Sequence, residues 1–66
     1  MQIQVNGNPE EIEPNASIAT LIQQLQMKSQ FVAVECNRQL IPRGDHESHQ
    51  LEPGDEIEIV TLVGGG

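Results

Sequence analysis

Four features of this 66-residue chain carry groups able to do chemistry: the closing glycines Gly64, Gly65 and Gly66, the single Cys36, the pair His46 and His49, and Arg43. The glycine run ends in a carboxylate at Gly66. A carboxylate is a poor electrophile, because attack on it must expel an oxide. Joined to AMP it gains a leaving group. A sulfur nucleophile can then displace the AMP and leave a C-terminal thiocarboxylate, a protected form of sulfide. Residues without Cβ have no side chain to pack into a sheet, so three in a row make a thin, extended, flexible thread. Fully extended, Val63 to Gly66 reach roughly 13 Å at about 3.3 Å per residue. Such a thread can enter a narrow channel and present its carboxylate to another protein. Taken alone, the glycines would equally fit a frayed end or a cloning remnant.

Little else in the chain adds to this. Its glycines are terminal, with no lysine and following helix to make a phosphate loop, so any adenylation must come from a partner. Cys36 shares a strand face with Val34 and reads as a small core residue rather than a reactive thiol. His46 and His49 stand three apart beside Asp45 and Glu47. A metal there would need further ligands and a supporting shell, and no metal site is expected. Arg43 after Pro42 could anchor its loop through a charged hydrogen bond or meet a partner. No Ser-His-Asp or Cys-His arrangement has support, and a chain this short leaves little room for a cleft, so a stand-alone enzyme is not expected.

Charge and length set further bounds. Ten acidic residues against three basic ones give a net charge of −7. That surface repels phosphate backbones, and the single aromatic, Phe31, makes no stacking platform, so nucleic acid is not an expected partner. The charge serves solubility, or steers the chain toward a protein with a basic surface. No apolar stretch of about 20 residues is present, so no membrane span is expected. No signal peptide is visible after Met1, and one cysteine cannot make an internal disulfide; the expected compartment is the cytoplasm.

These groups must be positioned by a small set of elements. Met1 to Val5 alternates with Ile3 and Val5 on one face, which predicts a strand. Asn6-Gly7 predicts a two-residue hairpin turn, since both residues accept positive φ. A return strand follows over Asn8 to Glu13, with Ile12 inward and Pro14 ending it. Ser17 occupies an N-cap position before Ile18, Leu21, Ile22 and Leu25, one apolar helix stripe. Val32, Val34 and Cys36 share a strand face, a turn at Asn37 and Arg38 leads to a short strand at Gln39 to Ile41, and Pro42 to Gln50 reads as loop. Pro53-Gly54 is a turn signal ahead of a last strand over Asp55 to Val63.

A hairpin, a helix and a further set of strands make an α+β domain. Right-handed crossover places the first and last strands side by side and parallel in the sheet centre. This is the β-grasp, or ubiquitin-like, arrangement: four to five strands with one main helix on one face. The domain is expected over 1–63, with 64–66 as a flexible glycine tail.

The opening Met1 to Gly7 (MQIQVNG), the central Val32 to Asn37 (VAVECN) with Leu40 to Arg43 (LIPR), and the closing Gly54 to Val60 (GDEIEIV) with terminal glycines resemble the ThiS family, along essentially the whole chain. That resemblance implies a sulfur carrier of thiamine biosynthesis. It maps the family's closing Gly-Gly onto Gly65 and Gly66. It implies adenylation of Gly66 by a ThiF-type enzyme, which brings its own ATP and magnesium. A sulfur donor, a persulfide enzyme, then makes the thiocarboxylate, and a ThiG-type thiazole synthase consumes the sulfur. The third glycine exceeds the Gly-Gly minimum, and Cys36 stands where an aliphatic residue is expected. A MoaD-type subunit of molybdopterin synthase, a ubiquitin-like modifier and a plain β-grasp interaction module are the alternatives. On the last strand the outward face changes from Glu56 and Glu58 to Val60 and Leu62 just before the glycines. With Gly64 these form a candidate partner-docking strip, unless Arg38 to Ile41 partly cover them.

Overall fold

The computed structural model describes residues 1–62. Strands β1 (Gln2–Val5) and β2 (Asn8–Glu11) form the hairpin, followed by helix α1 (Ile18–Gln24), β3 (Val32–Cys36), β4 (Gln39–Ile41) and β5 (Glu56–Thr61). Their order across the single sheet is β2-β1-β5-β3-β4. β5 runs parallel to β1 and antiparallel to β3, so the last strand in the sequence is the middle strand of the sheet. The fold is the β-grasp that the pattern predicts, with five strands. Val63, predicted as the end of the last strand, and the 64–66 tail lie outside the described residues.

Alternation decides the two faces. Ile3, Val5, Val32, Val34, Cys36, Ile57 and Ile59 are buried with Ile18, Leu21 and Ile22 of α1. The opposite face of the sheet carries no helix among the described residues. The turns are set by residues that tolerate positive φ. Asn6 and Gly7 have φ of 51° and 83°, and Asn37 and Arg38 have 52° and 71°, the two-residue hairpin geometry in both places.

The segment predicted as a loop has a structural job. A helix begins with four N–H groups that lack partners within it. Here Ile18 N–H donates to His49 O at 3.0 Å and Ala19 N–H to His46 O at 2.8 Å. Thr20 N–H donates to Ser17 Oγ at 3.1 Å, so Ser17 is the N-cap that its position predicts. The chain from Pro42 to Gln50 therefore wraps the start of α1. It contains a short 3₁₀ turn, Arg43–Asp45, and a bridge from Gln50 to Ser17.

The other end of α1 closes with Met27 N–H bonded to Ile22 O and Gln26 N–H to Gln23 O, both at 2.9 Å. This is a Schellman cap, whose left-handed position is normally glycine. Gln26 fills it with φ of 62°.

Candidate functional site

The site predicted from the sequence divides at Leu62. Gly64, Gly65 and the Gly66 carboxylate lie outside the described residues. Val60 and Leu62, the last outward-facing residues ahead of the glycines in the sequence, are described. Val60 stands directly opposite Ala33 of β3, and Leu62 N–H donates to Phe31 O at 2.7 Å. Both side chains are open to solvent, 58% for Val60 and 51% for Leu62. The partial cover expected from Arg38 to Ile41 leaves them more than half exposed.

The strip is wider than the sequence indicated. Leu40 is 66% exposed and Phe31 52%. Leu40 pairs with Glu35 on the helix-free face, because its neighbour Ile41 takes the inward position of a three-residue strand. Strand parity was the available signal: with Ile41 inward, Leu40 has to face out.

The rest of the open face is polar. Gln2, Gln4, Glu35, Arg38, Glu56 and Glu58 line an open depression of about 590 Å³. Glu35 and Glu58 stand directly opposite each other, an arrangement that costs stability between like charges. Arg38 reaches Glu56 only at 4.0 Å with both side chains exposed, which adds little. The open face is thus acidic at one end and apolar at the end where β5 finishes.

The remaining candidates serve the fold. His46, predicted in a polar loop, is only 2% exposed. Its Nε2 lies 3.2 Å from Ile41 O and its Nδ1 3.3 Å from Ser29 Oγ. A carbonyl only accepts, so Nε2 donates in that bond, and Nδ1 shares a hydrogen bond with the Ser29 hydroxyl, which can act as either donor or acceptor. His49 is half-buried and contributes its carbonyl to α1. Cys36 is buried. Burial, joined by the charge of Asp55, a hydrogen bond from the thiol to the Asp55 carboxylate and the charge of Glu52, pushes the thiol up to about 11, the direction of an unreactive sulfur. The Arg43 side chain is exposed and makes no hydrogen bond or ion pair among the described residues, so it does not anchor its loop through charge; only its carbonyl takes part, accepting from His46 N–H at 3.1 Å. No group of three or more metal-ligating side chains converges among the described residues. No helix among them is long and apolar enough to cross a membrane.

Comparison with known proteins places this architecture. The ThiS family matches residues 3–66. The chain is 27% identical to the sulfur carrier protein ThiS of Escherichia coli strain K12, covering all of both chains. It is 35% identical to a thiazole synthase of Magnetococcus marinus over its whole length, which is 20% of that larger protein. In the crystal structure of the thiamine biosynthesis protein ThiS from Geobacter metallireducens, the whole of each chain superimposes with a TM-score of 0.85 at 26% identity.

Proposed function

This chain belongs to the ThiS family and is a sulfur carrier of thiamine biosynthesis, not a catalyst, and from that premise we propose that its working group is the carboxylate of Gly66. The observation that carries the reading is the position of β5. A central strand held on both sides ends in an exposed apolar strip at Val60 and Leu62, and the sequence continues from there into Gly64, Gly65 and Gly66. A rigid platform beside a side-chain-free thread lets a partner grip the domain while the terminus enters its active site.

In this reading a ThiF-type enzyme binds ATP and magnesium and transfers AMP to the Gly66 carboxylate with release of pyrophosphate. The outer sulfur of a persulfide donor then attacks the acyl adenylate and AMP leaves; a second thiol cleaves the resulting acyl disulfide, forming a disulfide with the donor sulfur and releasing the thiocarboxylate. A ThiG-type thiazole synthase takes the sulfur. The match to thiazole synthase chains, in which a region similar to this whole domain occupies a fifth of the length, supports that last partnership. Val60, Leu62 and Gly64 are the docking residues, with Leu40 and Phe31 extending the strip. The opposed Glu35 and Glu58 support a partner whose basic surface relieves their repulsion. The compartment is the cytoplasm.

The test is the intact mass of the chain after incubation with ATP, a sulfur source and the adenylating enzyme, followed by fragmentation. Exchange of one oxygen for sulfur at Gly65-Gly66 is the expected result. Localisation is needed because oxidation of Met1 or Met27 adds nearly the same mass. An unmodified terminus beside an enzyme active on its own carrier would refute the reading.

A further inference from the structure

β5 has two backbone edges, and only one is fully used. Asn37 N–H donates to Glu56 O at 2.8 Å and Leu62 N–H to Phe31 O at 2.7 Å, so residues 56, 58, 60 and 62 turn their amides toward β3. Hydrogen-bonded and non-bonded pairs alternate along an antiparallel ladder. Ile57, Ile59 and Thr61 therefore turn their N–H and C=O groups toward β1. There, Asn6 N–H donates to Ile57 O at 2.8 Å, and the chain then turns away at Gly7. The Asn6 carboxamide fills the next rung: Oδ1 accepts from Ile59 N–H at 2.8 Å and Nδ2 donates to Ile59 O at 3.2 Å. The rung after that belongs to Thr61. Among the described residues nothing pairs with its backbone on this side.

We propose that an extended strand of the adenylating partner pairs with the edge of β5 that opens at Thr61, continuing the sheet beyond the point where Asn6 closes it. The proposal rests on the sulfur-carrier reading above. Glycines offer a partner no side chains, so the direction and register of Gly64 to Gly66 can be read only through backbone groups. Pairing at Thr61 fixes both just ahead of them, as strand addition does for extended peptides. The free edge also lies beside the exposed Val60 and Leu62, so one partner segment can cover the apolar strip and hydrogen-bond the edge together. A second copy of this chain is the poorer occupant, because two molecules of charge −7 repel each other.

The test combines amide exchange with substitution at Thr61. The Thr61 N–H is not part of the β3 ladder, so Thr61→Pro removes an outward donor of the kind proline is tolerated in replacing at a strand edge. Thr61→Ala keeps the donor. On adding the adenylating enzyme, the Thr61 amide of the wild-type chain should slow its exchange. Thr61→Pro should lose about tenfold or more in kcat/KM for adenylation, and Thr61→Ala less than about twofold. Amide shifts of Ala33 and Val60 verify that the proline variant is folded; if it is not, exchange in the wild-type chain decides. A wild-type chain that is adenylated while Thr61 exchanges as fast as before, with the proline variant equal to the alanine one, would overturn the proposal. Protection of Thr61 in the free chain that grows with concentration would also overturn it, in favour of self-association. Failure of the wild-type chain to be adenylated at all would sink the carrier reading, and this proposal with it.

Discussion

Replacing Asn6 with alanine should destabilise the domain by about 3 kcal/mol, although Asn6 is an exposed turn residue. Its carboxamide makes two hydrogen bonds to the backbone of Ile59, at 2.8 and 3.2 Å, across 53 residues of sequence. Each is worth about 1 kcal/mol net, and alanine leaves both Ile59 groups unpaired by protein. The φ of 51° adds about 1 kcal/mol more, because alanine resists the left-handed region that asparagine tolerates. A domain of this length has roughly 3 to 10 kcal/mol in all, so the loss is a large fraction. The melting temperature should fall by roughly 12 to 24 °C. The chain has no Trp or Tyr, so urea unfolding is best followed by far-ultraviolet circular dichroism. Asn6→Gly should recover part of the loss by relieving φ. Asn6→Asp should cost about 1 to 2 kcal/mol, since it keeps an acceptor for Ile59 N–H but sets a carboxylate oxygen against Ile59 O. A loss below about 0.5 kcal/mol for Asn6→Ala would refute the view that this side chain substitutes for a rung of the sheet.

Leu62→Asp should weaken binding to the adenylating enzyme by about tenfold or more, measured by calorimetric titration, while unfolding stability stays within about 0.5 kcal/mol; unchanged binding would remove Leu62 from the docking strip. Gln26→Gly should raise stability by about 1 kcal/mol in the same urea experiment, because glycine occupies the left-handed cap position without strain. The Cys36 thiol should react with an aromatic disulfide at pH 8 about 100-fold more slowly in the folded chain than in urea, from its lower thiolate fraction alone. Its folded value of about 11 lies above the ordinary 9.0, so the folded state holds that proton more tightly than the unfolded state. The corresponding stability is complete below about pH 9 and is lost as pH rises toward 11; a flat stability profile across that window would contradict the assignment.

Much of the fold was legible because local chemistry and global pattern agree. Asn6-Gly7 specifies the first turn, Ser17 the helix start, and Ile18, Leu21 and Ile22 the buried helix face. The alternation of Ile57 and Ile59 gives the last strand its sides. What was not legible depends on partners distant in sequence. Nothing in the polar run around His46 announces burial, which follows from Ser29 and the Ile41 carbonyl closing on the ring. Asn6 is a turn residue by propensity, and its second role exists only because β5 arrives beside β1. Of the candidate site, Val60 and Leu62 were legible from strand parity, and the same parity within Gln39–Ile41 pointed to Leu40, whereas Phe31 joined them only once β5 had a register against β3.

The position of β5 has a consequence during synthesis. β1 emerges first and lacks its parallel neighbour until about 50 further residues have been added. At the ribosome's roughly 5 to 20 residues per second this is an interval of about 3 to 10 s. Until then the nascent chain holds a lone hairpin and a short helix with an uncovered apolar face, and neither persists well alone. Closure of the sheet thus follows the arrival of the strand that leads into the carrier terminus. A chain cut short before β5 lacks the middle of its sheet and should be cleared as unfolded protein.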